Sequence, residues 1–224
     1  MEHYNPTCSK CVDGGKAVKN GKTKNEKQRY KCKCCGKSFI NSYTYKAYQP
    51  TIDDWIIALV KESAGIRSIA RLLDISPKTV ISKIVKISSR IKKPLIPLGA
   101  KFEVDELWTY IGKKTKRRYI CYSLSRDTKD VLGFSVGTRS KKHLRKVTDS
   151  LVLAKAKTIY TDRLKEYGNI IPKSMHKTTK YGTNHIERMN TTLRCHMKRL
   201  NRKTIAYSKR LTMLNACLTL YFWG

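Results

Sequence analysis

The spacing of hydrophobic residues divides the chain into a helical part and a strand-rich part. From residue 51 to residue 90, apolar residues such as Ile52, Ile56 and Val60 recur every three or four positions, the period of an amphipathic helix. We expect the first of these helices to end at Gly65. Residues 92–100 then carry two prolines and a glycine, which predicts a linker between the two parts.

Residues 66–80 predict two short helices joined by a tight turn. Asp74 stands at the turn, and Ser76 is placed to cap a second helix whose first residue is Pro77. This pattern resembles a helix-turn-helix, although the pattern is degenerate and a plain helical hairpin is the alternative. In a helix-turn-helix, the residues that face the major groove of DNA would be Lys78, Thr79, Ser82 and Lys83.

The strand-rich part begins with residues 101–112, where Val104, Trp108 and Ile111 are residue types that favour strands. Two further apolar runs, 118–126 and 131–138, flank a polar turn, so we predict a three-stranded antiparallel meander. The remaining predicted elements are a helix over 141–154, a short buried strand over 158–161, a helix over 183–194 and an apolar helix over 211–223. Together they predict an α/β chain of several domains, whose last helix packs against the sheet or a second subunit.

Composition points to a polyanionic partner. The 224 residues include 48 Lys and Arg against 16 Asp and Glu, a formal net charge of +32. Nucleic acid is the partner that this excess favours, since the charge is spread along the chain and does not form one face of a membrane-binding helix. We find no signal peptide and no long apolar run, and we expect a cytoplasmic protein that does not bind membranes.

Five of the eight cysteines are crowded into the first 35 residues. Cys8 and Cys11 form one pair with two intervening residues, Cys32 and Cys35 form a second, and 20 residues separate the pairs. Two such pairs grip opposite sides of a tetrahedral Zn²⁺, so we predict a structural zinc site, with Cys34 as a spare thiol. Free thiols are the alternative.

Three acids are candidates for catalysis. Asp105 lies at the centre of a strand that should be buried, where a carboxylate costs several kcal/mol unless it is paired or binds a metal. Its neighbour Glu106 should point to the opposite face of the strand. Asp162 follows the short buried strand, where it could equally cap the next helix.

The third acid is Glu187, the only one after residue 167, where eleven Lys and Arg residues surround it. It could merely pair with Lys180, Arg188 or Arg194. Three acids on this arrangement of strands and helices resemble the ribonuclease H fold, in which such a triad binds two magnesium ions. Mg²⁺ prefers a few carboxylates together with phosphate oxygens of the substrate.

The chain resembles the transposases of the insertion-sequence-one family along most of its length, and several motifs carry this resemblance. In the first half they are Arg29-Tyr-x-Cys32 and Tyr43-Thr-Tyr45-x-Ala-x-Gln-Pro50. In the second half they are Asp105-Glu-x-Trp108-x-Tyr-x-Gly112, Thr161-Asp162 and Ile186-Glu-Arg-x-Asn190 followed by Leu193-Arg194. Between the second and third acids lie 24 residues. Arg163 is a departure, because relatives often carry glycine there.

The resemblance implies a DDE transposase in which Asp105, Asp162 and Glu187 bind Mg²⁺ or Mn²⁺. Such an enzyme binds the terminal inverted repeats of an insertion sequence, cleaves to leave 3′-hydroxyls and joins them to target DNA, as a homodimer or larger oligomer. Residues predicted to contact DNA in its second half are Arg188, Asn190, Arg194 and Lys198.

The domain division expected is a zinc ribbon over 1–48, a helix-turn-helix domain over 49–92, a linker over 93–100 and a ribonuclease H-like catalytic domain over 101–224. Two other function classes fit parts of the chain. A DNA-binding regulator without catalysis would explain the charge and the first half. A ribonuclease H-like nuclease or resolvase would use the same fold and metals.

Overall fold

The computed structural model describes residues 6–8, 11, 15–41 and 45–224. Tyr43 and Thr44, which belong to one of the motifs above, lie outside the described residues. The chain divides into two compact units, residues 1–50 and residues 51–224. The domain boundaries predicted at residues 48, 92 and 100 stay a prediction.

The first unit contains a three-stranded antiparallel sheet. Its strands are β1 (Ala17–Lys22), β2 (Gln28–Cys32) and β3 (Ser38–Ile40), in the order β1-β2-β3. Strands β1 and β2 form the hairpin between the two cysteine pairs, and β3 returns directly after the second pair. The ring of Tyr30 stacks on that of Phe39 across β2 and β3. This small sheet therefore places both ends of the β1-β2 hairpin beside the cysteines.

The second unit opens with three helices, α1 (Ile52–Lys61), α2 (Ile66–Leu72) and α3 (Pro77–Ser88). The prediction that Gly65 ends α1 is wrong. The helix stops at Lys61 because Ser63 adopts a left-handed conformation with φ of 60°, after which the Ala64 N–H donates to the Leu59 carbonyl at 2.9 Å.

The turn between α2 and α3 follows the sequence prediction. Asp74 adopts the left-handed conformation, with φ of 50°, that glycine often supplies at such a turn. The Ser76 side chain accepts the backbone N–H of Thr79 at 3.0 Å, and Pro77 is the first residue of α3. The turn therefore sets the direction of α3 relative to α2.

A five-stranded mixed sheet forms the centre of the second unit. Its strands are β4 (Lys101–Ile111), β5 (Lys113–Ser125), β6 (Val131–Gly137), β7 (Thr158–Tyr160) and β8 (His176–Lys177), in the order β6-β5-β4-β7-β8. The predicted antiparallel meander of β4, β5 and β6 is confirmed. Strand β7 runs parallel to β4, and β8 runs parallel to β7. The mixed α/β class is thereby confirmed.

Side chains alternate between the two faces of this sheet. Phe102, Val104 and Cys121 join the main hydrophobic cluster, which is completed by α4 (Lys141–Leu153) and by Tyr167 of α5 (Lys165–Gly168). Glu103 and Asp105, the alternate residues of β4, instead contact α6 (Asn184–His196) on the other face. One face of the sheet thus lies in the hydrophobic core, and the other presents polar side chains that contact α6.

The last helix, α7 (Leu211–Trp223), joins the helical and sheet parts of the second unit. It packs on α1 and α3 and also on β6. Phe222 lies against Tyr122 and Phe134 of the sheet, and the Trp223 indole N–H donates to the Val131 carbonyl at 2.7 Å. The prediction that this helix packs on the sheet is confirmed. None of the helices among the described residues has the length and apolarity that a membrane span requires.

Candidate active site and metal centres

Asp105 and Asp162 come together because of the register between parallel strands β4 and β7. Glu103 of β4 lies beside Tyr160, the last residue of β7. Asp105 is two residues beyond Glu103 on β4, and Asp162 is two residues beyond Tyr160 in the loop. The acids therefore meet where β7 ends and β4 continues, at the carboxyl edge where open α/β sheets bind ligands.

The Asp105 carboxylate is held in place by two hydrogen bonds. Its Oδ1 accepts the backbone N–H of Glu106 at 2.7 Å, and its Oδ2 accepts the side-chain amide of Asn190 at 2.7 Å. Burial raises the pKa of Asp105, and the charges of Asp162 and Glu187 raise it further, while the two hydrogen bonds act against this. The site therefore favours a compensating cation.

Glu106 is closer to these acids than strand alternation predicts. Its neighbours lie on the opposite face from those of Asp105, and Oε2 pairs with Arg139 at 3.3 Å. Nevertheless, one carboxylate oxygen from each of Asp105, Glu106 and Asp162 lies within 4.8 Å of the others. Burial raises the pKa of Glu106 to about 7, although the Tyr167 hydroxyl and Arg139 favour its charged form.

Asp162 stabilises the turn that precedes α5, and its part in catalysis stays a prediction. Its Oδ1 accepts the backbone N–H of Leu164 at 3.0 Å, which stabilises the turn before α5. Its Oδ2 lies 3.7 Å from the Arg139 guanidinium, and the side chain is 40% exposed. A carboxylate oxygen thus remains accessible to a ligand from solvent.

Glu187 lies near this group but outside it. It is exposed in the first turn of α6, and its Oε1 accepts the Thr183 hydroxyl at 2.7 Å. Asn190, one turn further along α6, reaches Asp105. Glu187 is close enough for its charge to raise the pKa of Asp105. Its part in a metal-binding triad stays a prediction.

A buried ionic cluster fixes the start of α6 against β4, and sequence analysis assigned no role to its central residue, Glu103. The Glu103 carboxylate is fully buried and accepts the backbone N–H of Ile186 at 2.9 Å. It also contacts His185 Nδ1 at 2.6 Å and Arg126 Nε at 3.0 Å. Because Ile186 precedes Glu187, this cluster positions the predicted third acid relative to the strand.

A cleft of about 390 Å³ opens beside the acids, and its walls include Glu106, Trp108, Glu187, Asn190, Arg194 and Arg202. Arg194 is half-buried there, and its guanidinium donates to the carbonyls of Leu200 at 2.5 Å and Trp108 at 3.1 Å. The remaining guanidinium N–H groups can still donate to a phosphate. The cleft therefore combines acids with basic side chains.

The other residues predicted to contact DNA occupy different settings. Lys78 and Ser82 are exposed on α3, whereas Lys83 pairs with Asp53 of α1 at 2.5 Å. Thr79 is half-buried and bonded to the Ser76 cap. Arg188 and Lys198 are exposed, on α6 and just beyond it. Their contacts with DNA stay predictions, as does that of Asn190, whose side-chain amide is hydrogen-bonded to Asp105.

Four cysteines of the first unit form a second candidate metal centre. Sγ atoms of Cys8, Cys11, Cys32 and Cys35 all lie within 4.8 Å of one another. Cys8 and Cys35 are 3.8 Å apart at sulfur, and Cys11 and Cys32 are 3.6 Å apart. A tetrahedral Zn²⁺ with Zn–S bonds of about 2.3 Å requires S···S distances of about 3.8 Å, so these thiols fit zinc.

Hydrogen bonds within the cysteine group shift the pKa values of two of its thiols in opposite directions. Hydrogen bonds from the backbone of Cys35 lower the pKa of Cys32 to about 6, whereas side-chain hydrogen bonding to Cys35 raises that of Cys11 to about 12. The lowered pKa favours the thiolate form of Cys32, which is the form that binds a metal. Cys34 is exposed and outside the group, as the spacing predicts.

Comparison with known proteins places this arrangement in a family. Residues 100–222 match the family model described as IS1 transposase. The insertion element iso-IS1n protein InsB of Shigella dysenteriae is 36% identical over 107 residues, which cover 48% of this chain and 82% of that protein. The insertion element IS1 protein InsB of Shigella flexneri is 31% identical over 111 residues, covering 50% and 85%.

A solved structure shows a weaker likeness. The cryo-EM structure of a simian T-cell lymphotropic virus intasome in complex with PP2A regulatory subunit B56 gamma aligns with 75% of this chain and 65% of that one. The sequence identity is 13% and the TM-score is 0.38.

Proposed function

This chain belongs to the IS1 transposase family, and from that premise we propose that it is a DDE transposase acting on the ends of an insertion sequence. It would bind the terminal inverted repeats, hydrolyse the strand at each 3′ end and transfer the resulting 3′-hydroxyls into target DNA. The observation that carries the proposal is the meeting of Asp105 and Asp162 at the carboxyl edge of parallel strands.

The proposed metal ligands are Asp105, Asp162 and Glu187. Carboxylate oxygens are the hard donors that Mg²⁺ or Mn²⁺ prefers. Burial, together with the charges of Asp162 and Glu187, raises the pKa of Asp105, and a bound cation would stabilise its charged form. When bound, such ions stabilise the charge on the attacking and leaving oxygens of a phosphodiester displacement. Glu187 is exposed, so its side chain can turn toward the other two acids without a large desolvation cost.

The surrounding residues orient these acids. Asn190 and the Glu106 N–H hold the two oxygens of Asp105, and the Leu164 N–H holds one oxygen of Asp162. Arg194 and Arg202 in the neighbouring cleft would attract the phosphates of the DNA strand. Because water and the 3′-hydroxyl serve as nucleophiles, we assign no Ser, Tyr or Cys to a covalent intermediate.

DNA recognition is proposed for the first half of the chain. The zinc-stabilised sheet and a helix-turn-helix formed by α2 and α3 would bind the inverted repeats, with the exposed Lys78 and Ser82 of α3 facing the major groove. The sheet would serve as a ribonuclease H-like scaffold. Two ends must be joined in one reaction, so we propose at least a dimer in the active complex, working in the cytoplasm.

The proposal is tested with duplex DNA carrying the sequence that flanks the coding region. In Mg²⁺ the chain should cleave the 3′ strand and form joined products, and in Ca²⁺ it should only bind. The variants Asp105→Asn, Asp162→Asn and Glu187→Gln should bind ends and cleave nothing. Binding without cleavage in the unaltered chain would indicate a regulator. Cleavage without joined products would indicate a nuclease or resolvase.

A further inference from the structure

We propose that Glu106 is an additional ligand for the divalent cation at Asp105 and Asp162. In the metal-free protein, the Arg139 guanidinium occupies the position of that cation. The inference rests on the proposed function, since it concerns the same site. It goes beyond the motif pattern, which singles out three acids and places Glu106 on the other face of the strand.

The distances suit a shared cation. One oxygen from each of the three carboxylates lies within 4.8 Å of the others. Oxygens around an octahedral Mg²⁺, with bonds of about 2.1 Å, are roughly 3 to 4 Å apart. The observed spacing is therefore within about 1 Å of what one shared ion requires.

A second observation concerns the buried oxygen of Glu106. The side chain is 1% exposed, and its Oε1 has no hydrogen-bond partner of normal geometry among the described residues. The Tyr167 hydroxyl lies within hydrogen-bonding reach of this carboxylate and favours its charged form, but no hydrogen bond of normal geometry reaches Oε1. A buried carboxylate oxygen without a partner is costly, which points to a ligand that satisfies it.

Arg139 supplies the compensating charge in the metal-free protein. Its guanidinium lies 3.3 Å from Glu106 Oε2 and 3.7 Å from Asp162 Oδ2. The side chain is 40% exposed and rests over the ring of Tyr119 at 5.6 Å. One guanidinium cannot balance three carboxylates, and an exposed arginine can withdraw into solvent when a divalent cation enters.

The alternative is that Glu106 and Arg139 form a permanent structural ion pair. In that case, replacing Glu106 would affect folding but not metal affinity. Replacing Arg139 would then leave metal affinity unchanged, because the guanidinium would not compete with the ion. Measurements of metal affinity on folded variants therefore separate the two accounts.

The experiment is a titration of the full, zinc-loaded chain with Mn²⁺, in which free Mn²⁺ is followed by electron paramagnetic resonance. Glu106→Gln keeps the side-chain volume and removes the charge, and we expect its Mn²⁺ affinity to fall at least about tenfold. Glu166→Gln is the matched control, because Glu166 lies on α5 beside Tyr167 but outside the acidic group. Its affinity should equal that of the unaltered chain.

A second variant tests the role of Arg139 and does not depend on the folding of Glu106→Gln. Arg139→Gln retains all three carboxylates, and we expect it to bind Mn²⁺ several-fold more tightly, because the competing guanidinium is gone. Unchanged or weaker binding would contradict the place-holding role of Arg139. Unchanged binding by folded Glu106→Gln would overturn the ligand role of Glu106.

Failure of the inference is distinguishable from failure of the proposed function. If the unaltered chain binds no Mn²⁺, or if Asp105→Asn and Asp162→Asn bind it normally, the metal site itself is wrong. If those two variants lose Mn²⁺ while Glu106→Gln retains it, only the additional ligand is wrong.

Discussion

The side-chain amide of Asn190 donates a hydrogen bond of 2.7 Å to Oδ2 of Asp105. The orientation of that amide is set in turn by Tyr122, whose hydroxyl donates to Asn190 Oδ1 at 2.8 Å. The Tyr122 ring lies against Phe222 of α7, and α7 packs on α1 and α3. Asn190, which the sequence predicts to contact DNA, thus orients the proposed metal ligand Asp105. A series of contacts through Tyr122 and α7 connects this pair to helices α1 and α3.

Asn190→Ala should therefore affect the metal site more than DNA binding. Loss of a hydrogen bond that orients a metal ligand typically lowers metal affinity or activity by about 10- to 100-fold. We expect that loss in Mn²⁺ affinity and in strand cleavage, with end binding measured by fluorescence anisotropy unchanged. Thr192→Ala on the same helix is the control. Loss of end binding with unchanged Mn²⁺ affinity in Asn190→Ala would instead indicate that Asn190 contacts DNA.

Replacing Glu103 should be among the most destabilising changes in the chain. Glu103→Ala leaves Arg126 without its buried partner and frees the Ile186 N–H, and breaking a buried ion pair from one side costs about 3 to 5 kcal/mol. The free energy of unfolding should fall by that amount in urea titrations. Glu166→Ala, a half-buried acid on α5, should change it by less than about 0.5 kcal/mol. A loss below 1 kcal/mol for Glu103→Ala would contradict the anchoring role.

Zinc binding should distinguish two cysteines that are close in sequence. Cys32→Ser removes a buried member of the thiol group, whereas Cys34→Ser removes an exposed thiol outside it. We expect one Zn²⁺ per chain in the unaltered protein and in Cys34→Ser, and no bound Zn²⁺ in Cys32→Ser. The zinc content of each protein is measured by release of the ion to a chromogenic chelator. Equal zinc content in both variants would contradict the assigned ligands.

The two lysines of α3 should differ in their effect on DNA binding. Lys78 is exposed, whereas the Lys83 ammonium pairs with Asp53 at 2.5 Å. Lys78→Ala should weaken end binding and reduce the slope of log affinity against log salt by about 1. Lys83→Ala should have the smaller effect on that slope. A larger reduction for Lys83→Ala would mean that its ion pair opens on DNA.

Sequence patterns predicted the elements whose residues repeat with a clear period. Strand β4, the meander and helices α4, α6 and α7 fall where apolar spacing or strand-favouring residues place them. Strand β8 was missed because two residues are too short to show a period. The first residues of β5, Lys113–Arg117, were missed because this run is polar. The later residues of β5, which pair with β4, were predicted as a strand.

The candidate site was predictable in part. Asp105 and Asp162 stood out because each acid interrupts or follows an apolar strand. Glu106 did not, because strand alternation predicts the direction of its side chain but not the path of the loop after β7. That loop brings Asp162 close to both Asp105 and Glu106. Glu103 looked like an ordinary flanking acid because its partners, Arg126 and His185, are distant in sequence.

The most direct test of the central claim is an X-ray structure of crystals grown with Mn²⁺, using its anomalous scattering to locate the ion. The account predicts an anomalous peak about 2.2 Å from a carboxylate oxygen of Asp105 and from one of Asp162. Absence of a peak there at saturating Mn²⁺, or a peak that touches neither acid, would contradict it.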